Sequence, residues 1–112
     1  MINYNNKTFR PVSNTENGET SEATVFLYKQ EGNIITSNYS GGKIYSGHLI
    51  GLVDDNGVIR MSYHQINDRY ELMTGICTST PEILSNGKIR LHEVWQWTSG
   101  DESKGQSIIE EQ

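Results

Sequence analysis

Apolar and polar residues alternate in short runs along most of the chain, and turn-forming residues separate these runs about every 10–12 residues. An alternation with a period of two is typical of strands that bury one face. No window long enough for a stable helix has apolar residues at helical spacing. The pattern therefore predicts eight strands, at residues 8–12, 24–30, 33–39, 43–53, 58–65, 71–79, 88–98 and 105–110.

The connections between most of these strands are too short for anything but antiparallel neighbours. Asn56-Gly57 is the strongest hairpin signal, and residues 13–22 are expected to form a surface loop. Pro81 is expected to break the strand period, and residues 82–84 fit a single helical turn. The predicted fold class is all-β, a single small antiparallel up-and-down β-barrel over residues 1–112. An open, curled sheet that dimerises through its edge is the alternative.

The predicted strand at 88–98 fixes which residues face the interior. Alternation places Ile89, Leu91, Glu93, Trp95 and Trp97 on one bulky, mostly apolar face. Glu93 is the exception, because an unpaired carboxylate on a buried face is costly. Glu93 therefore either has an internal partner, such as an arginine or a tyrosine hydroxyl, or contacts a ligand with a raised pKa.

Two neighbouring strands add polar groups to the same interior. The strand at 58–65 places Ile59, Met61, Tyr63 and Gln65 on one face. The next strand offers Met73, Gly75, Cys77 and Ser79, although Leu72, Thr74 and Ile76 compete for that face. Aromatic walls with a few converging polar groups are typical of small-molecule pockets. The predicted ligand-binding residues are therefore Tyr63, Gln65, Cys77, Glu93, Trp95 and Trp97, although the same rings could simply fill the barrel.

Other kinds of site find little support. His64 and His92 fall on the outer face two strands apart, about 9–10 Å, which is too far for one zinc ion. No histidine has a spacing that would make it the base for a Cys77 nucleophile. Phosphate loops, dinucleotide fingerprints and nucleophile elbows are absent from the sequence. We therefore expect no metal and no cofactor, and the catalytic residues of any enzyme activity stay unknown.

Composition narrows the partners. The net charge of −5 and the scattered basic residues argue against nucleic acid and against an anionic membrane surface. The N-terminus has no secretory pattern, no apolar stretch is long enough to span a bilayer, and the single cysteine forms no internal disulfide. We expect a cytoplasmic monomer or homodimer.

Several segments resemble a family of short proteins from Gram-positive bacteria that are often labelled N-acetylglutamate synthase. They are LMTGICTSTPE at 72–82, GKIRLHEVWQWTSGD at 87–101, YSGG at 39–42 and GHLIG at 47–51. The label implies an acetyltransferase. The usual fold for that reaction has a glycine-rich loop and a helix for the pyrophosphate, neither of which this sequence shows. In outline the strand pattern is also similar to the avidin and lipocalin (calycin) barrels.

Three functions stay open at this point. The preferred one is a barrel that binds a small molecule in its interior. The second is an enzyme, either the acetyltransferase of the label or a hydrolase or isomerase that uses Glu93 as acid or base. The third is a structural or interaction protein with a filled barrel.

Overall fold

The computed structural model describes residues 2–112, which fold into eight β-strands. The strands are β1 (Lys7–Asn14), β2 (Val25–Glu31), β3 (Ile34–Gly41), β4 (Ile44–Val53), β5 (Ile59–Asn67), β6 (Leu72–Ile83), β7 (Ile89–Trp97) and β8 (Lys104–Glu111). Each predicted strand coincides with one of these. No helix among the described residues has the length and apolar character needed to cross a membrane.

The strands form one closed barrel in sequence order, with every neighbouring pair antiparallel. β1 closes the barrel by pairing with β8, where Phe9 lies opposite Glu111. Closure gives each strand two hydrogen-bonded neighbours, so no sheet edge is left open. This confirms the all-β up-and-down barrel, and the open-sheet alternative is wrong.

The alternation of apolar and polar residues in the sequence matches the alternation of inward-facing and outward-facing side chains in the barrel wall. In β7, Ile89, Leu91, Trp95 and Trp97 point inward and are buried, as predicted. In β6 the interior face belongs to Gly75, Cys77 and Ser79, whereas Leu72 and Ile76 are exposed. The competition between the two faces of β6 is thereby resolved in favour of the small residues.

The prediction for residues 80–84 was wrong in part. β6 continues through Pro81 to Ile83, and Pro81 lies opposite Leu91 of β7, so residues 82–83 are extended rather than helical. The pairing of β6 with β5 has already ended at Ser79. A proline is tolerated there because it has a strand partner on one side only.

One end of the barrel is plugged by the segment that precedes β1. Tyr4 is fully buried, and its hydroxyl donates a hydrogen bond of 2.6 Å to the carbonyl of Gly57 in the β4–β5 turn. Its ring lies 6.5 Å from that of Phe9 and 6.3 Å from that of Tyr28. Any opening to the interior must therefore lie at the opposite end.

Candidate functional site

A narrow cavity occupies the end of the barrel opposite Tyr4. Its volume is about 50 Å³, which is well below the roughly 300–1,000 Å³ of most ligand sites. A ligand larger than a few atoms would therefore have to displace side chains or the loop at the mouth. The cavity is lined by Asn14, Gly18, Glu19, Thr20, Phe26, Tyr39, Leu49, Met61, Tyr63, Gln65, Cys77, Glu93, Trp95, Trp97 and Ser107.

Glu93 lies in the wall of this cavity, held by hydroxyl groups from the strands on either side. Ser79 of β6 donates a hydrogen bond of 2.6 Å to Oε2, and Ser107 of β8 donates one of 3.1 Å to Oε1. The register explains this arrangement, because Glu93 lies directly opposite both serines. Among residues 2–112, the side-chain partners of this carboxylate are these uncharged hydroxyls. Glu93 thus has internal partners, as the structural interpretation requires, but within residues 2–112 they are serine hydroxyls rather than an arginine or a tyrosine.

The surroundings of Glu93 favour its protonated form. Burial raises the pKa of the carboxyl above its ordinary value, and the hydrogen bonds from Ser79 and Ser107 offset only part of this effect. Two neighbours shift in the same direction: burial first, and then the charge of Glu93, raise the pKa of the Cys77 thiol and of the Tyr28 hydroxyl. Glu93 is thus a half-buried acid without a countercharge among the described residues, and such acids are candidates for functional sites.

Aromatic rings form much of the remaining wall. Trp97 lies edge-to-face with Trp95 at 5.5 Å and with Tyr63 at 5.8 Å, measured between ring centroids. Room for the rings comes from glycines on the adjacent strands, where even a methyl group would overlap the ring. The directly opposed ring and glycine pairs are Tyr39 with Gly47, Tyr63 with Gly75, and Trp95 with Gly105. These close approaches explain how so many large side chains fit inside a small barrel.

The connection between β1 and β2, residues 15–24, crosses the mouth of the cavity. Glu19 in this loop accepts hydrogen bonds from Gln65 Nε2 at 2.8 Å and from Asn67 Nδ2 at 2.7 Å. The Trp97 indole donates to the carbonyl of Asn17 in the same loop at 2.9 Å. Gln65 also accepts a hydrogen bond of 2.8 Å from the Tyr39 hydroxyl. The surface loop predicted at 13–22 is thus a cover over the interior, tied to β5 and β7.

Two polar atoms near the interior lack a protein partner. Asn14 Oδ1 and the Tyr28 hydroxyl are buried and make no hydrogen bond within residues 2–112. Asn14 is one of the residues that line the cavity. Unpaired buried polar groups are uncommon in native proteins and mark places where water or a ligand binds.

All six residues predicted as ligand contacts line this one cavity: Tyr63, Gln65, Cys77, Glu93, Trp95 and Trp97. Several lining residues were missed. Tyr39 and Ser107 have a signal in the sequence, because they continue the inward alternation of Ile35 in β3 and of Ile109 in β8. Glu19 has none, because it lies in a loop without a period.

Within the part of the chain that the structure describes, the histidines and acidic side chains do not form a metal site. Among residues 2–112, no group of three or more histidine, cysteine, aspartate or glutamate side chains is arranged to hold a metal ion. His64 is exposed on the outer face, where it stacks with His48 at 5.6 Å, and His92 bonds to Glu82 at 2.8 Å. The predicted outward positions of His64 and His92 are therefore confirmed.

Comparison with known proteins gives one family. A family model described as "Avidin-like protein" matches residues 2–112. No curated protein matches the chain. The family match agrees with the closed barrel of eight strands and with the outline expected from the sequence. It carries no information about the N-acetylglutamate synthase label, and the acetyltransferase stays an untested alternative.

Proposed function

Because the chain belongs to the avidin-like family, we propose that it is a binding protein that holds a small molecule inside its barrel. The bound molecule lies in the cavity under residues 15–24, against Trp95 and Trp97 and within hydrogen-bond reach of Glu93. Gln65 and Tyr63 supply further polar contacts, and Cys77 adds an apolar one. The protein's chemical contribution is recognition rather than catalysis.

The observation that carries this proposal is the state of Glu93. Its partners are two serine hydroxyls, which hold the carboxyl in place but give it no countercharge. Keeping such a group beside an unfilled, aromatic-lined space costs stability. Binding is a function that would compensate for this cost. A filled structural barrel would need neither the acid nor the space.

An enzyme needs a second acid or base close to the first. Among the described residues, the side chains bonded to Glu93 are serines whose own hydroxyls are weak acids. Burial raises the pKa of the nearby Cys77 thiol, which disfavours the nucleophilic thiolate. The site therefore favours binding over the acetyltransferase, hydrolase or isomerase alternatives.

The test is a titration of the protein with a broad library of small metabolites, followed through tryptophan emission. A molecule entering the cavity displaces water from beside Trp95 and Trp97, so the emission should shift and saturate. Glu93→Gln keeps the shape and removes the charge. We expect it to weaken binding by about 1.5–3 kcal/mol, the worth of a charge-assisted hydrogen bond. If no library member produces a saturable shift, the filled-barrel alternative replaces this proposal.

A further inference from the structure

The charged groups of the cavity are all of one sign. Two carboxylates belong to its lining, Glu93 in the wall and Glu19 at the mouth. Within residues 2–112, the lining includes no lysine, arginine or histidine. A ligand that enters this space meets two carboxyl groups, each either neutral or negative, without any compensating positive side chain. The cavity therefore offers an anionic ligand no countercharge.

The hydrogen-bonding capacity of the wall points the same way. A carboxylate can accept about four hydrogen bonds, and each oxygen of Glu93 accepts one from a serine, so acceptor capacity remains on both. Asn14 Oδ1 is a further buried acceptor without a protein partner. The donors of the mouth, by contrast, are used: Gln65 Nε2 and Asn67 Nδ2 both donate to Glu19. The wall around Glu93 therefore offers acceptors to a ligand that donates, and the Tyr63 hydroxyl adds a donor elsewhere in the lining.

Aromatic side chains form much of the cavity wall. Phe26, Tyr39, Tyr63, Trp95 and Trp97 all line the same narrow space. Aromatic rings attract cations electrostatically, most strongly where water is excluded. They also pack well against the apolar part of a flat molecule. The carboxylates, the free acceptors and the aromatic rings thus all favour the same class of ligand, an organic cation.

We propose that the ligand is a small organic cation whose positively charged N–H group, an ammonium, amidinium or guanidinium, donates to Glu93 while its apolar part packs against the aromatic wall. A planar amidinium or guanidinium can bond to both carboxylate oxygens at once. The cation also supplies the countercharge that Glu93 lacks in the protein itself. This inference rests on the proposed binding function and names the class of molecule that the site takes.

The experiment uses three planar molecules of nearly the same shape that differ in charge: benzamidine, benzamide and benzoate. Each is titrated into the wild-type protein by calorimetry, and the indole N–H signals of Trp95 and Trp97 are followed by nuclear magnetic resonance. We expect benzamidine to bind with a Kd at least about tenfold below that of benzamide, which corresponds to a difference in binding free energy of about 1.4 kcal/mol. Benzoate should give no saturable heat.

Two variants locate the effect. In Glu93→Gln the preference for benzamidine over benzamide should fall to less than about threefold, because the charge-assisted bond is lost. Glu31→Gln is the matched control, since Glu31 is an exposed carboxylate at the end of β2 and does not line the cavity. It should keep the full preference. The order of the three probes on the wild-type protein decides the question even if Glu93→Gln does not fold.

The possible outcomes distinguish a failure of the cationic-ligand proposal from a failure of the proposed binding function. Benzamide or benzoate binding as tightly as benzamidine, with shifts in both indole signals, would overturn the cation and leave the binding function standing. Retention of the preference by Glu93→Gln would also overturn it. If none of the three probes binds, the proposal of a cationic ligand is overturned. The library titration then shows whether the proposed binding function fails as well.

Discussion

Replacing Ser79 by alanine tests the ionisation of Glu93 through the stability of the fold. Ser79→Ala removes the shorter of the two hydrogen bonds to this carboxyl, 2.6 Å against 3.1 Å for Ser107. A hydrogen bond to a charged group contributes about 1.5–3 kcal/mol, and one between neutral groups about 0.5–1.5 kcal/mol. The free energy lost on substitution should therefore depend on whether Glu93 carries its charge.

The sign of the pH dependence follows from burial. The pKa of Glu93 is raised in the folded protein, so its contribution to stability is complete below the unfolded pKa, near about 4.3, and is lost as the pH rises through the folded pKa. Ser79 favours the ionised form, and its removal raises the folded pKa further. The substitution should cost about 0.5–1.5 kcal/mol in acid, where Glu93 is protonated, and about 1.5–3 kcal/mol where it is ionised.

The assay is urea denaturation of both proteins at about pH 3.5, below the ordinary pKa of glutamate, and at about pH 8, above it. Ser62→Ala is the matched control, because Ser62 is an exposed strand serine on the outer face of β5. Its cost should stay within about 0.5 kcal/mol at both pH values. The reasoning is refuted if Ser79→Ala costs the same in acid and base, or no more than the control.

Three further substitutions test the site. Glu93→Gln should become more stable relative to wild type as the pH rises, because only the wild-type protein must then bury an ionised carboxylate; a constant difference in melting temperature between acid and base would contradict this. Glu19→Ala removes the bonds of 2.8 and 2.7 Å that tie residues 15–24 to β5, so the amides of that loop should exchange hydrogen faster, and unchanged exchange would disprove its role as a tie. Gly75→Ala should cost about 1–3 kcal/mol in denaturation, since the new methyl group overlaps the Tyr63 ring, and adding Tyr63→Leu should recover part of it. Equal losses with and without the second change would refute the overlap.

Much of the barrel could be predicted from the sequence because its two main signals are local. The period of two in each strand assigns the inward face, which is why Tyr63, Gln65, Glu93, Trp95 and Trp97 were expected to share an interior and do line one cavity. The short turns force antiparallel neighbours. Together they allow few arrangements other than a meander.

What could not be predicted depends on contacts between distant residues. Glu19 accepts a hydrogen bond from Gln65, 46 positions further along the chain, and the residue pattern of neither segment predicts this contact. Pro81 was read as a break because its missing N–H is a local signal, whereas its tolerance depends on where β5 stops pairing with β6. The serine partners of Glu93 follow from strand register, which the sequence alone leaves open.

The most direct test of the central claim asks where a small molecule binds. In the nuclear magnetic resonance titration, a ligand found by the library screen should shift the indole signals of both Trp95 and Trp97 with one saturation curve. The largest changes should then map to Glu93 and its neighbours. Saturable binding that shifts only the outer groove around the exposed Ile50, Ile76 and Val94, and leaves both indole signals unchanged, would contradict an interior site.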